Sequence, residues 1–125
     1  MKRPIPALAL LLLAIAIPAI ARPASNTVTL HGYVLDSACA FTKNLKKPVS
    51  SECAIACAKA GSPLVILTSD GKLYLPISDA TPAIGQNARL MKFAGQKVVV
   101  TGKVYNRSGA LGLVIEKIIG SGPGM

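Results

Sequence analysis

Histidine, tryptophan and acidic side chains are what this sequence has least of. Its 125 residues hold one histidine (His31), no tryptophan and five carboxylates: Asp36, Glu52, Asp70, Asp79 and Glu116. A Ser–His–Asp hydrolase would depend entirely on His31, and no G-x-S-x-G elbow accompanies it. A phosphate-binding glycine loop is also missing. Neither C-x-x-C nor C-x-x-C-H occurs, so the usual dithiol-exchange motif and covalent haem attachment are both absent. Tyr33, Phe41, Tyr74, Phe93 and Tyr105 are the only aromatics, a thin supply for stacking nucleic-acid bases. The expectation is a non-catalytic protein that does not read nucleic acid.

What is present begins with an export signal. Met1, Lys2 and Arg3 form a short positive start, and an apolar run follows from Ile5 to Ile20. Ala19 and Ala21 supply the small residues that a signal peptidase needs. A spanning helix needs about 20 apolar residues, whereas this run is shorter and is interrupted by prolines at 4, 6 and 18. Residues 1–21 therefore read as a cleavable signal, cut after Ala21. The mature protein is expected in the periplasm or secreted, meeting the membrane only through the signal before cleavage. No cysteine lies near Ala21 to carry lipid, and Lys2-Arg3 is not a twin-arginine pair.

Cleavage leaves 104 residues, enough for one domain, and lowers the net charge from +9 to +7. The cations are scattered apart from Lys43, Lys46 and Lys47. Such a balance suits either attraction to anionic surfaces or a solvated basic surface.

Residues 22–26 form a short leader. From Thr27 the chain alternates, with Val28, Leu30 and Val34 on one face and Thr27, Thr29, His31 and Tyr33 on the other, the period of a half-buried strand. Alternation stops over 36–50. Ser50 or Ser51 can cap a helix over Glu52–Ala60, stopped by Gly61. Leu64–Thr68 reads as an apolar strand and Asp70-Gly71 as a hairpin turn. Lys72–Ile77 returns with Leu73, Leu75 and Ile77 on one side and Pro76 marking a sheet edge. A short helix is expected over Gln86–Ala94. Lys97–Tyr105 and Ala110–Ile119 then form a second hairpin around Asn106–Gly109, and Gly120–Met125 is a tail.

Five strands, with a helix between the third and fourth, follow the order of the OB-fold, a small and partly open barrel. Gly32, Gly102 and Gly112 lie inside strands where such a barrel bends. The domain spans 27–119, with a helical cysteine-bearing insertion over 36–62 between strands 1 and 2. A small open sheet packed by helices on one face is the alternative. In an OB-fold the loop after strand 1 and the loop between strands 4 and 5 flank the ligand face, which would set the insertion beside Asn106–Gly109.

Cys39, Cys53 and Cys57 carry most of the chemical information. An odd count in an exported protein leaves one thiol over unless a partner or metal takes it. Cys53 and Cys57 stand at i and i+4 of a predicted helix, with Cβ atoms roughly 5–6 Å apart. A disulfide needs about 3.5–4.5 Å. A bridge would therefore join Cys39 to Cys53 or to Cys57. Alternatively, two thiolates on one helix face and a third from the preceding loop can grip a soft ion, copper(I) or zinc(II). His31 could complete a Cys₃His tetrahedron, or be a surface residue on the polar strand face. Thiol redox exchange is the third option. Asp36 could accept from a ligand histidine, or simply form a turn.

Several segments together resemble one family. They are Gly32-Tyr33-Val34-Leu35-Asp36-Ser37-Ala38-Cys39, the run Glu52–Pro63, Asp70-Gly71-Lys72-Leu73-Tyr74, and Val100-Thr101-Gly102-Lys103. The pattern Asp-x-x-Cys, Cys-Ala-x-x-Cys-x-x-x-Gly-x-Pro and a closing Val-x-Gly strand is similar to that of small exported, largely uncharacterised bacterial OB-like proteins. Many members carry a histidine three residues before the second cysteine, where this chain has Ser50. The resemblance implies the fold and the compartment, and no activity. The expected function is an exported binding protein presenting its cysteines to a soft metal or a metal-bearing exported partner. The alternatives are an interaction domain pinned by a disulfide and a thiol-redox accessory.

Overall fold

In the computed structural model the described residues are 1–2, 26–45 and 50–121. The rest of the signal segment and the leader up to residue 25, residues 46–49 with Lys46 and Lys47, and the tail beyond Ser121 lie outside them. Among the described residues no helix is long and apolar enough to cross a membrane.

Five strands form a closed barrel: β1 (Asn26–Asp36), β2 (Leu64–Thr68), β3 (Leu73–Pro76), β4 (Lys97–Arg107) and β5 (Ala110–Gly120), in the order β1-β2-β3-β5-β4. This is the OB order expected from the sequence, and closure excludes the open sheet. β1 is long enough to serve two neighbours. Its first part pairs antiparallel with β4, from Asn26 opposite Val104 to Tyr33 opposite Lys97, and its second part pairs with β2, ending at Asp36 opposite Leu64. The barrel is sealed by β3 running parallel to β5.

That last pairing corrects one detail read from the sequence. Pro76 lies at no free edge: it stands opposite Leu113 of β5, and the missing N–H is harmless because Ile77 donates to Leu113 instead, at 2.9 Å. The inward side of β3 is Tyr74 and Pro76, while Leu75 points outward, 46% exposed. Leu73 and Leu75 share the other side, as the alternation predicts. Tyr74 wins the interior because a ring fills the barrel with more apolar area than a leucine.

Val34, Leu64, Ile66, Tyr74, Val98, Val100, Leu113 and Ile115 form the barrel core. Helix α2 (Ser51–Lys59) adds Ala54 and Ala58 to it. The short helix α3 (Asn87–Leu90) and the 3₁₀ turn Met91–Phe93 that continues it add Leu90, with Ala94 following. Every residue of β2 is buried, because its outer side chains Val65 and Leu67 are also covered. The cover is helix α1 (Ser37–Thr42), whose Ala40 packs on Leu35, Val65 and Leu67. This explains why Leu64–Thr68 is apolar throughout and does not alternate.

Barrel curvature is set at one bulge. The β4–β5 register slips between Thr101, opposite Lys117, and Gly102, opposite Ile115, leaving Glu116 unpaired. Gly102 allows it, since any Cβ there would collide with the carbonyl oxygen of Val114. Arg89 of α3 donates to the Ile115 carbonyl at 2.8 Å and to that of Glu116 at 3.4 Å, satisfying groups that the slip frees.

Candidate metal centre

The cysteines reach one place because each helix of the insertion starts from its own cap. Asp36 ends β1 and caps α1, its Oδ2 accepting from the Cys39 N–H at 3.0 Å. No periodicity in the sequence reveals α1. Its six residues are too few, and what signals it is the Asp36 cap three residues before Cys39. Ser50 caps α2 by accepting from the Cys53 N–H at 3.2 Å, with Glu52 in the first turn and Lys59 in the last, both matched to the helix dipole. Ser50 is thus structural in this chain.

Helix α2 turns its Ala54–Ala58 stripe into the core, so Cys53 and Cys57, one residue behind each, flank that stripe half-buried. Two contacts fix its position. Gly95, at φ +75°, passes so close that a Cβ would lie 2.7 Å from the Ser51 backbone. After Cys57 the helix stops in a Schellman turn: Gly61, at φ +104°, donates to Ala58 and Ser62 donates to Cys57. That turn brings Ser62 back to the end of β1, where its hydroxyl donates to Asp36 Oδ2 at 3.4 Å and Ser37 N–H donates to the Pro63 carbonyl at 2.8 Å.

The result is a group of three sulfurs, Cys39, Cys53 and Cys57, all within 4.8 Å of one another. Cys39 is buried and the other two are half-buried. All three are free thiols. The alternative of a bridge from Cys39 to Cys53 or Cys57 is therefore not formed: α2 holds its two thiols a turn apart, and Cys39 faces the pair without closing on either. The Cys39 thiol is pushed up, first by its hydrogen bond toward the Asp36 carboxylate, then by burial and the negative charge of Asp36. Cys57 is pushed up by burial, then by Asp36 and the neighbouring thiols. Metal-free, these two thiols keep their protons at neutral pH.

His31 does not join them. It is exposed on β1, opposite Val99, and borders a cleft with Tyr33, Ser69 and Lys97. It lies five residues before Asp36 on the barrel's outer face, outside the sulfur group. The expected nearness to Asn106–Gly109 fails as well. Antiparallel pairing puts the β4–β5 turn beyond the Asn26 end of β1, whereas the thiols follow its Asp36 end. The thiols lie instead between α1, which carries Cys39, and α2, which carries the other two.

Sequence reasoning missed Asn87, which has no motif to reveal it. Its Oδ1 accepts from Leu64 N–H at 2.9 Å, and its Nδ2 donates to the carbonyls of Ser62 at 2.8 Å and Ala58 at 3.3 Å. One side chain thereby ties the end of α2 to the start of β2. Fold and site together define a closed five-stranded OB-like barrel with a three-thiol centre beside its first strand. Compared with known proteins, the chain matches no family model, no curated protein and no solved structure.

Proposed function

We propose that this is an exported, non-catalytic binding protein whose three thiols hold a soft metal ion, copper or zinc, for storage or for delivery to an exported partner. The observation that carries the reading is the convergence of Cys39, Cys53 and Cys57 within 4.8 Å. With metal–sulfur bonds of about 2.3 Å, ligand sulfurs stand roughly 3.8–4.0 Å apart, so side-chain adjustment alone closes the group on an ion. Thiolates are the donors that such soft ions prefer. The half-exposed Cys53 and Cys57 give a path in and out, while buried Cys39 retains the ion. Export is supported by the positive start, apolar run and small-residue cleavage site of residues 1–21.

The test is intact mass and metal content of the protein purified from its own compartment without reductant. Stoichiometric metal on three reduced thiols is expected, along with an N-terminus at Arg22. A metal-free protein two mass units light would mean a disulfide and would overturn the reading. Cys53→Ser and Cys57→Ser should each lose the metal, and full retention by either variant contradicts the site.

A further inference from the structure

The three-thiol reading leaves one neighbouring atom unexplained. Asp36 is fully buried, and its Oδ1 has no hydrogen-bond partner. Its Oδ2 is accounted for by the Cys39 N–H and the Ser62 hydroxyl. Among the described residues no lysine or arginine pairs with it. Burying a carboxylate with one oxygen unsatisfied is costly, and a partner normally offsets it. A cap for the six-residue α1 does not require that cost, since serine or threonine caps without a charge. The carboxylate also sits beside the site: it accepts from the N–H of Cys39, one of the three thiol residues, at 3.0 Å.

We propose that Asp36 supplies the fourth donor through Oδ1, making Cys39, Cys53, Cys57 and Asp36 a tetrahedral site for a divalent zinc-class ion, not a three-coordinate site for monovalent copper. The proposal rests on the three-thiol reading and adds the ion's class. Two arguments converge on it. In charge, three thiolates and one carboxylate beside the core total −4. A divalent ion leaves −2 where copper(I) would leave −3, and uncompensated buried charge is what such a site can least tolerate. In geometry, zinc prefers four donors, with sulfur at about 2.3 Å and carboxylate oxygen at about 2.0–2.2 Å. Asp36 lies outside the 4.8 Å sulfur group, so ligation requires its Oδ1 to move inward as the donors contract, while Oδ2 keeps the Cys39 cap. Binding displaces the thiol protons to solvent.

The experiment compares the full mature chain with its Asp36→Asn variant under reducing conditions, using chelator competition for zinc and for copper(I). The amide oxygen still caps α1, as asparagine caps about as well as aspartate. Zinc affinity should fall about 10–100-fold or more, while copper(I) affinity stays level or rises. Cobalt-loaded wild type should show tetrahedral ligand-field bands that change in the variant. Wild-type protein carrying ¹³C in its aspartate carboxyl groups tests the bond directly, even if the variant folds poorly: zinc should move one isotope-edited carboxylate band. Equal zinc affinities in wild type and variant, aspartate bands that stay in place, or wild type binding copper(I) but no zinc would each overturn this assignment and leave the three-thiol site standing. Failure of reduced wild type to bind either ion would overturn both.

Discussion

At the scale of single residues, the site depends on side chains that bear no metal. Asn87 holds Leu64, Ser62 and Ala58 with one amide. Asn87→Ala would strand a part-buried N–H and two carbonyls, costing about 1–3 kcal/mol. Urea unfolding at pH 7 should show this as a lower midpoint with an unchanged slope, and zinc affinity should fall as well because Ser62 loosens against Asp36. A normal midpoint would show that water replaces the amide. The cysteines were legible because thiol chemistry and i, i+4 spacing are local. Asn87 was not, since its three bonds reach 23 to 29 residues back along the chain and only the folded barrel assembles them. His31 failed for a related reason: nearness in sequence put it by the insertion, but a strand carries neighbours apart at about 3.3 Å per residue.

At the scale of elements, caps decide where the thiols stand. Ser50→Ala removes the acceptor for Cys53 N–H, with an expected cost of about 1 kcal/mol. Fraying would begin at the turn that carries Cys53. Hydrogen exchange should therefore quicken at residues 51–54 before it does at 57–59, and uniform protection would count against this account. Helix α2 was readable from its serine cap, alanine stripe and Gly61 stop. β2 was readable as an apolar run, although its two-sided burial implies a cover that the sequence did not visibly provide. That cover is α1, hidden because one turn and a half of helix has no measurable period. The alternation of β3 was readable too, but four residues cannot show whether the aromatic or the aliphatics face inward.

At the scale of the whole molecule, closure links the bulge to the site. The β4–β5 slip at Gly102 lets β5 bend round to β3, and Arg89, which caps the freed carbonyls, belongs to the same helix as Asn87. Gly102→Ala would force a methyl group against the Val114 carbonyl, an overpacking cost of about 1–3 kcal/mol. A calorimetric scan should show a lowered Tm, and an unchanged Tm would mean that the bulge relocates. The OB order itself was legible from five strand patterns and one helix. Which end of β1 meets the β4–β5 turn depended on register, and register is fixed only by closure.

Acidity joins these scales, because the thiols report on the fold that surrounds them. Cys39 and Cys57 are raised above the ordinary thiol value of 9.0. Below roughly pH 8 the folded and unfolded chains both hold these protons, so the two thiols add no pH dependence. As pH climbs through 9 the unfolded chain releases them first and binds fewer protons than the folded one, so stability falls. Metal-free reduced protein should therefore lose urea resistance between pH 8 and roughly pH 10, and a Cys39→Ser, Cys57→Ser double variant should lose less over the same interval. Zinc reverses the sign. Binding expels the same protons, so affinity rises with pH, and the added stability, RT ln(1 + [L]/Kd), should grow between pH 6 and roughly pH 8. Opposite slopes in one protein, negative when empty and positive when loaded, are expected if Cys39 and Cys57 hold their protons in the apo fold and give them up to the metal. Parallel slopes would separate the thiols from the metal.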